Sequence, residues 1–414
     1  MKTEILIIGD EILNGETQDT NSRFIARQLS QMGLFVNRIT TTADHPQAIS
    51  EALGEVLSRA DLVLTTGGLG PTHDDITATA LAGFFNCEMI FNEAVYSSIK
   101  ARFEKRNKPV NPLSRQQAFI PQKARPIINP VGTAPALWFE EAGKIVVALP
   151  GVPSETEFLV EHHIMPLLRS KLPDHYIRYH KLFFTGIGES DLAPMLAEIQ
   201  ATLPRDVTVA YLPGLGYVKI RITASGDDKE RISSALSEVA GKMKSVASQY
   251  YFGENEDNFA RMVSRGLITS QKTVSAAESC TGGYLAHQLT SIPGCSAYFK
   301  GSCVAYHNEV KQNVLGVKAE TLEKYGAVSE PTVREMVLGA LRIFDSDIAL
   351  ATSGIAGPAG GSEGKPVGTV FIGAGTKDHV EIREFHFNKD RMQNIILSAN
   401  MALIMLKPYL NIGK

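Results

Sequence analysis

Eight residues, Ala276-Ala277-Glu278-Ser279-Cys280-Thr281-Gly282-Gly283, bring two candidate nucleophiles, a third hydroxyl and two glycines into one short run. The apolar stretch before it predicts a buried strand over 273–277, and the stretch after it predicts a helix over 284–289. Glycines at such a junction let the backbone approach a ligand closely, and the free N–H groups of a helix start favour an anion. A small nucleophile held beside such donors is the equipment of acyl transfer. The same letters also suit an ordinary tight turn capped by Thr281, so the octapeptide needs companions.

Two companions follow downstream. Val304-Ala305-Tyr306-His307-Asn308-Glu309-Val310-Lys311 reads as a strand running into a helix, and Ala351-Thr352-Ser353-Gly354-Ile355-Ala356-Gly357-Pro358 as a strand running into a glycine-rich turn. A serine hydroxyl needs a base at neutral pH. Lys311 serves if partial burial lowers its pKa, and His307 is the other candidate base, with Cys280 as a rival nucleophile. On chemistry alone the pairs Ser279–Lys311 and Cys280–His307 stay open. Gly364-Lys365 imitates the end of a P-loop but fails it, because Ala359 stands where the first glycine belongs and Pro366 replaces the Ser/Thr. The stretch 354–368 reads better as a substrate loop.

A separate constellation lies near the N-terminus. Gly9-Asp10-Glu11 follows the first predicted strand, and Gly67-Gly68-Leu69-Gly70-Pro71-Thr72-His73-Asp74-Asp75 follows another. The glycines can form a nest of N–H donors for phosphate oxygens. Asp74 and Asp75 beside such a nest imply a divalent cation between carboxylates and phosphate. The spacing of Gly67, Gly68 and Gly70 is not that of a dinucleotide fingerprint. A third segment, Pro150-Gly151-Val152-Pro153-Ser154, fixes a loop at the same sheet edge, where Ser154 with Glu157 also suits a plain capping box.

The elements that position these motifs alternate. Strands are predicted over 4–8, 35–40, 62–66 and 144–149, with amphipathic helices over 20–32 and 46–58 that Asn21 and Asp44 are placed to start. This predicts an α/β domain over 1–170 with a mostly parallel sheet, whose ligands bind beyond the carboxyl ends of the strands. Residues 171–252 change texture: strands over 179–185, 207–211 and 217–224, and helices over 191–202 and 228–247, make a small α+β module. Only scattered lysines and arginines support a nucleic-acid role there, and a structural spacer is the favoured reading. Tyr251-Phe252-Gly253-Glu254-Asn255 reads as a linker, and Asp257 as the start of the next helix-and-strand region. A second three-layer α/β domain over 253–414 holds strands over 273–277, 299–306, 348–352, 367–374 and 380–387, with a last helix from Arg391.

Composition bounds the rest. The 414 residues are 44% apolar and 21% charged with a net charge of -3, the balance of a soluble globular protein without a basic block for nucleic acid. No apolar run reaches the roughly 20 residues of a membrane span. Four cysteines without metal-ligand or disulfide spacing fit a reducing, cytoplasmic setting.

The three N-terminal segments resemble the molybdopterin-binding domain of molybdenum-cofactor enzymes and, more closely, the N-terminal half of the CinA family. The segments around Ser279, Lys311 and Ser353, together with Lys365-Pro366-Val367-Gly368-Thr369, resemble the CinA C-terminal domain. The middle module resembles the family's KH-like insert. The resemblance implies a bifunctional enzyme of pyridine-nucleotide recycling that forms a homodimer and works on small nucleotides, while the charge balance predicts no nucleic-acid partner. The C-terminal domain would deamidate nicotinamide mononucleotide without a cofactor, with Ser279 as nucleophile, Lys311 as base and Tyr306 assisting. Thr281, Gly282, Gly283, Ser353 and Gly354 would supply oxyanion or phosphate contacts, and Arg391 would hold the 5′-phosphate. The N-terminal domain would hydrolyse ADP-ribose with a divalent metal, using Asp10, Gly67, Gly68 and Gly70 toward the ligand and Asp74 and Asp75 toward the metal. Two positions depart from the family pattern: Thr79 stands where relatives often carry an acid, and Ser353 where they carry threonine. The alternative is a non-catalytic protein that binds molybdopterin or a nucleotide, or a partner in competence or recombination.

Overall fold

The computed structural model describes residues 1–72, 75–172, 176–256 and 258–412. The chain divides into two compact units, one of residues 1–178 with 225–232, the other of 179–224 with 233–414.

In the first unit, a six-stranded sheet runs in the order Val36–Thr42, Thr3–Ile8, Leu62–Thr66, Lys144–Leu149, Ala136–Glu141, Arg125–Ile127. The first four strands are parallel and the last two antiparallel. Side chains alternate across the pleat, so successive residues of one strand feed two cores. Ile5 and Ile7 join Ile25, Leu29 and Leu159 on one face, while Leu6 and Ile8 join Ile49, Leu53 and Leu81 on the other. Strand Thr3–Ile8 lies between its two parallel neighbours, and the chain leaves it in one direction and returns on the other side. The switch point therefore falls where Gly9 and Gly67 end adjacent strands, the crevice in which such sheets bind ligands.

The second unit holds two sheets. One has four strands in the order Val207–Gly214, Tyr217–Gly226, Tyr176–Thr185, Tyr251–Glu254. Its fourth strand is the segment expected as a linker. Tyr251 and Phe252 are buried, and the segment pairs antiparallel with residues 182–184, so its apolar residues are core rather than connection. The single helix expected over 191–202 is two, Glu189–Met195 and Ala197–Ala201, the first with Pro194 near its end. Asp257 lies outside the described residues.

The other sheet runs Phe299–Val304, Val274–Glu278, Ile348–Gly354, Thr369–Gly375, Val380–His386, with the first three strands parallel and the last two antiparallel. Ala276, Leu350 and Ile372 pack toward Val263, Leu285 and Leu403, while Ala277, Ala349 and Ala351 pack toward Val333, Val337 and Ala340 of helix Glu330–Phe344. Helices thus cover both faces. Val274–Glu278 sits between parallel neighbours, and its carboxyl end, where the octapeptide begins its turn, is this sheet's switch point. Among the described residues no helix is long and apolar enough to cross a membrane.

Candidate active site

The turn at 279–283 is built by its own backbone. Ser279 N–H donates to Thr352 O (2.9 Å), which ties the turn to the neighbouring strand. Gly282 N–H closes back on Ser279 O (3.1 Å), and Tyr284 N–H on Thr281 O (2.9 Å). Gly282 and Gly283 sit at φ 59° and 98°, the left-handed region that side chains with a Cβ avoid, so the turn needs this pair. Helix Tyr284–Thr290 follows.

Ser279 points its hydroxyl at a buried lysine. Lys311 Nζ lies 3.2 Å from Ser279 Oγ, 2.7 Å from Ala305 O and 3.1 Å from Tyr306 O. Lys311 is only 1% exposed, and burial pushes its pKa below the ordinary lysine value. As a neutral amine it would spend its two protons on the two carbonyls and turn its lone pair to the Ser279 hydroxyl, the geometry of a general base. Cys280 faces the other way, into the apolar cluster of Leu285 and Leu289, and burial pushes its thiol up to about 12. His307 stands 74% exposed at the start of helix Asn308–Asn313, where Nδ1 accepts from Glu309 N–H (3.4 Å). The structure assembles Ser279 with Lys311 and leaves Cys280 and His307 apart.

The donors differ from the expected set. The helix start does hold an anion, but it is the chain's own Glu278, whose carboxylate accepts from Gly283, Leu285 and Ala286 N–H at 2.9–3.0 Å. Gly282 and Gly283 N–H are therefore occupied. Among the described residues, the N–H groups of Cys280 and Thr281 donate to no carbonyl, which leaves these two to meet an oxyanion. The Thr281 hydroxyl is buried against Thr352 Oγ1 (2.7 Å). Ser353 is also turned inward, with its hydroxyl donating to Ala327 O (2.6 Å), and Gly354 is paired with Val370 in the sheet ladder. The hydroxyls of Thr281 and Ser353 are thus already paired within the protein. Arg391, at the start of helix Arg391–Ile404, donates through Nη1 to Gly357 O (2.6 Å) and through Nη2 to Tyr306 Oη (3.1 Å). Asn394, one turn on and fully buried, holds the same loop through Ala356 O (3.0 Å).

In the first unit, Gly67 passes so close to strand Thr3–Ile8 that a Cβ there would stand 1.9 Å from Ile8 O. Thr77 N–H donates to Gly68 O (3.0 Å), locking the loop to helix Thr77–Phe84. Asp75 is used by the loop itself: it accepts from Gly70 N–H (2.7 Å), Thr72 N–H (2.8 Å) and the Thr72 hydroxyl (2.5 Å). It braces the glycine turn rather than offering free oxygens to a metal. Asp74 lies outside the described residues. Asp44 was expected to start a helix, but the cap position of Pro46–Arg59 is His45, and Asp44 faces Gly68 and Asp10 instead. Among the described residues its Oδ1 is buried without a hydrogen-bond partner, and burial pushes its pKa up. Asn21 likewise does not cap; its Nδ2 stitches Thr66 Oγ1 (2.9 Å) to Gly151 O (2.7 Å) beneath Gly67. A cavity of about 140 Å³ opens beside the loop, lined by Gly68, Gly70, Met89, Gln117 and Phe119. Among the described residues, no three His, Cys, Asp or Glu side chains gather as a metal set. The orphaned oxygen of Asp44 beside Asp10 still fits a hard cation, which binds oxygen donors.

Comparison with known proteins covers the chain in three consecutive segments. Residues 4–170 match the probable molybdopterin binding domain, 180–253 the damage-inducible protein CinA KH domain, and 256–410 the CinA C-terminal domain. A CinA-like protein of Cytophaga hutchinsonii is 38% identical over 404 residues, covering 98% of this chain and 97% of its own. One from Chloroherpeton thalassium is 39% identical over 419 residues, covering 99% and 100%. The chain belongs to the CinA family.

Proposed function

We propose that this protein is a bifunctional hydrolase of pyridine nucleotides, deamidating nicotinamide mononucleotide at the Ser279 site and hydrolysing ADP-ribose at the pyrophosphate in the first unit. One observation carries the amidase reading: a buried lysine whose nitrogen is held by two carbonyls and stands 3.2 Å from a serine hydroxyl on a donor-rich turn. Ser279 Oγ attacks the carboxamide carbon while its proton passes to neutral Lys311. The oxyanion that forms accepts from Cys280 and Thr281 N–H. Lys311 then returns the proton to the departing ammonia, and water, deprotonated by the same amine, releases nicotinate mononucleotide from the acyl-serine. Arg391 offers its remaining N–H groups to the 5′-phosphate.

In the first unit, Asp10 and Asp44 would hold a divalent cation, with Asp74 as a third carboxylate from the sequence. Such a cation neutralises pyrophosphate charge when bound. The Gly67–Gly70 turn orients phosphate oxygens through its N–H groups, and the adjoining cavity receives the organic part of the ligand.

The test assays full-length protein and Ser279→Ala with nicotinamide mononucleotide, and separately with ADP-ribose plus magnesium or manganese. Ammonia release is expected from the wild type alone, and ADP-ribose hydrolysis from both. Ammonia from the variant at the wild-type rate would remove Ser279 as nucleophile. Silence of the wild type in both assays would favour a non-catalytic partner protein.

A further inference from the structure

Glu278 has no part in the chemistry above, yet its carboxylate is held by four donors. It is 0% exposed. Its Oε2 accepts from Gly283 and Leu285 N–H, both at 3.0 Å, and its Oε1 from Ala286 N–H at 2.9 Å and the Ser302 hydroxyl at 3.2 Å. Three donors belong to the turn and the helix that follow Ser279, and the fourth to the neighbouring parallel strand. A carboxylate at the end of one strand thus pins both the far side of the turn and the adjoining strand.

We infer that Glu278 is a positioning residue of the amidase site: it clamps the 279–283 turn so that Ser279 Oγ meets Lys311 while the N–H groups of Cys280 and Thr281 face the reacting carbonyl. This inference rests on the amidase reading. The turn leaves the strand at Ser279 and returns at Gly283, so its shape is set by its two ends. Thr352 O holds the first end and Glu278 holds the second. The N–H groups of a helix start have no partner within the helix, and without the carboxylate these three donors, that of Leu285 buried and those of Gly283 and Ala286 partly buried, would seek other acceptors and drag the turn with them. Displacing a reacting group by about 1 Å costs on the order of 100-fold in rate. Occupation of the helix start by Glu278 also leaves substrate phosphate to Arg391.

The decisive variant is Glu278→Gln. The amide oxygen can replace one carboxylate oxygen, but its NH₂ then faces a donor, either Ala286 N–H or the Gly283 and Leu285 pair. In the full-length protein with nicotinamide mononucleotide, kcat is expected to fall about 100-fold, with KM within about threefold and the pH at which kcat half-rises unchanged. A folded variant with kcat within about threefold of wild type would overturn the inference. So would a fall in kcat with a displaced pH profile, which would mean that the charge acts on Lys311 instead. Should Glu278→Gln not fold, Ser302→Ala removes only the fourth donor. A fall in kcat of about three- to tenfold at constant KM supports the clamp, and no change refutes it. Should the wild type release no ammonia, the amidase reading fails by itself. Labelling of Ser279 by a fluorophosphonate then reads the clamp directly: about 100-fold slower labelling in Glu278→Gln supports it, and equal rates refute it.

Discussion

Arg391 and Tyr306 lie 85 residues apart in sequence and meet through Nη2 and Oη at 3.1 Å, while the other arm of the guanidinium grips Gly357 O at 2.6 Å. One side chain therefore braces the exposed tyrosine and the Gly357 loop together, and still has N–H groups facing solvent. A lysine keeps the charge but not the planar fork. Arg391→Lys is expected to raise KM for nicotinamide mononucleotide by roughly 10- to 100-fold. Its KM for nicotinamide riboside, which lacks the phosphate, should change far less. Equal effects on both substrates would take Arg391 off the phosphate.

The base must be neutral to act. Burial lowers the Lys311 pKa, so kcat should rise with pH along a limb centred below the ordinary lysine value of 10.5. Lys311→Arg keeps a cation that never loses its proton in this range and should release no ammonia at any pH. A pH-independent kcat in the wild type would contradict the assignment.

The same shift bears on stability. A lysine whose folded pKa is depressed binds fewer protons folded than unfolded between that pKa and 10.5. Stability therefore rises with pH across that window and is lowest below it. Denaturant titrations of wild type and Lys311→Met should converge as pH climbs toward 10. Parallel curves at every pH would mean that Lys311 titrates alike in both states.

Cys280, despite its place beside Ser279, should be dispensable for chemistry. Cys280→Ala is expected to keep ammonia release within about threefold while losing about 1 kcal/mol of stability from the small void it leaves. Iodoacetamide at neutral pH should leave Cys280 unmodified in the native protein, as mass spectrometry of the 276–283 peptide would show.

Asp44→Asn tests the first unit. Removing one of two neighbouring carboxylates should raise the manganese concentration for half-maximal ADP-ribose hydrolysis by at least about tenfold, with amidase kinetics unchanged. Calorimetric titration with manganese alone gives an activity-free check; equal affinity in both proteins would move the cation elsewhere.

Much of this was legible beforehand because it depends on local pattern. The strands at 62–66 and 144–149 carry apolar runs bounded by glycine or proline, and their ends are where those runs stop. Residue type marked Ser279 and Lys311 as candidates but marked Cys280 and His307 equally, and only the family resemblance chose between the pairs. The role of Glu278 was not legible, because a buried carboxylate is recognised only by the donors around it, and Ser302 stands 24 residues away. Asp44 was misread for a related reason: near a helix start, an aspartate that caps and one that faces a neighbouring loop have the same sequence. Ser353 and Thr281 looked like site hydroxyls, and only the chain fold shows their partners, Ala327 O and Thr352 Oγ1. The strand at 251–254 was missed because four residues with a glycine carry too little periodicity to separate strand from linker.

That short strand changes what can be cut from what. Phe252 and Phe183 belong to the same apolar cluster as Phe259, Leu285 and Leu403, and the Phe252 and Phe259 rings meet edge to face at 4.9 Å. The boundary at which homology separates the KH domain from the CinA C-terminal domain runs through the middle of a single aromatic nucleus. A fragment begun at residue 253 would inherit the whole Ser279 turn and yet expose the face of Phe259. Residues on both sides of that boundary therefore share one core, and neither segment buries its own aromatic rings without the other.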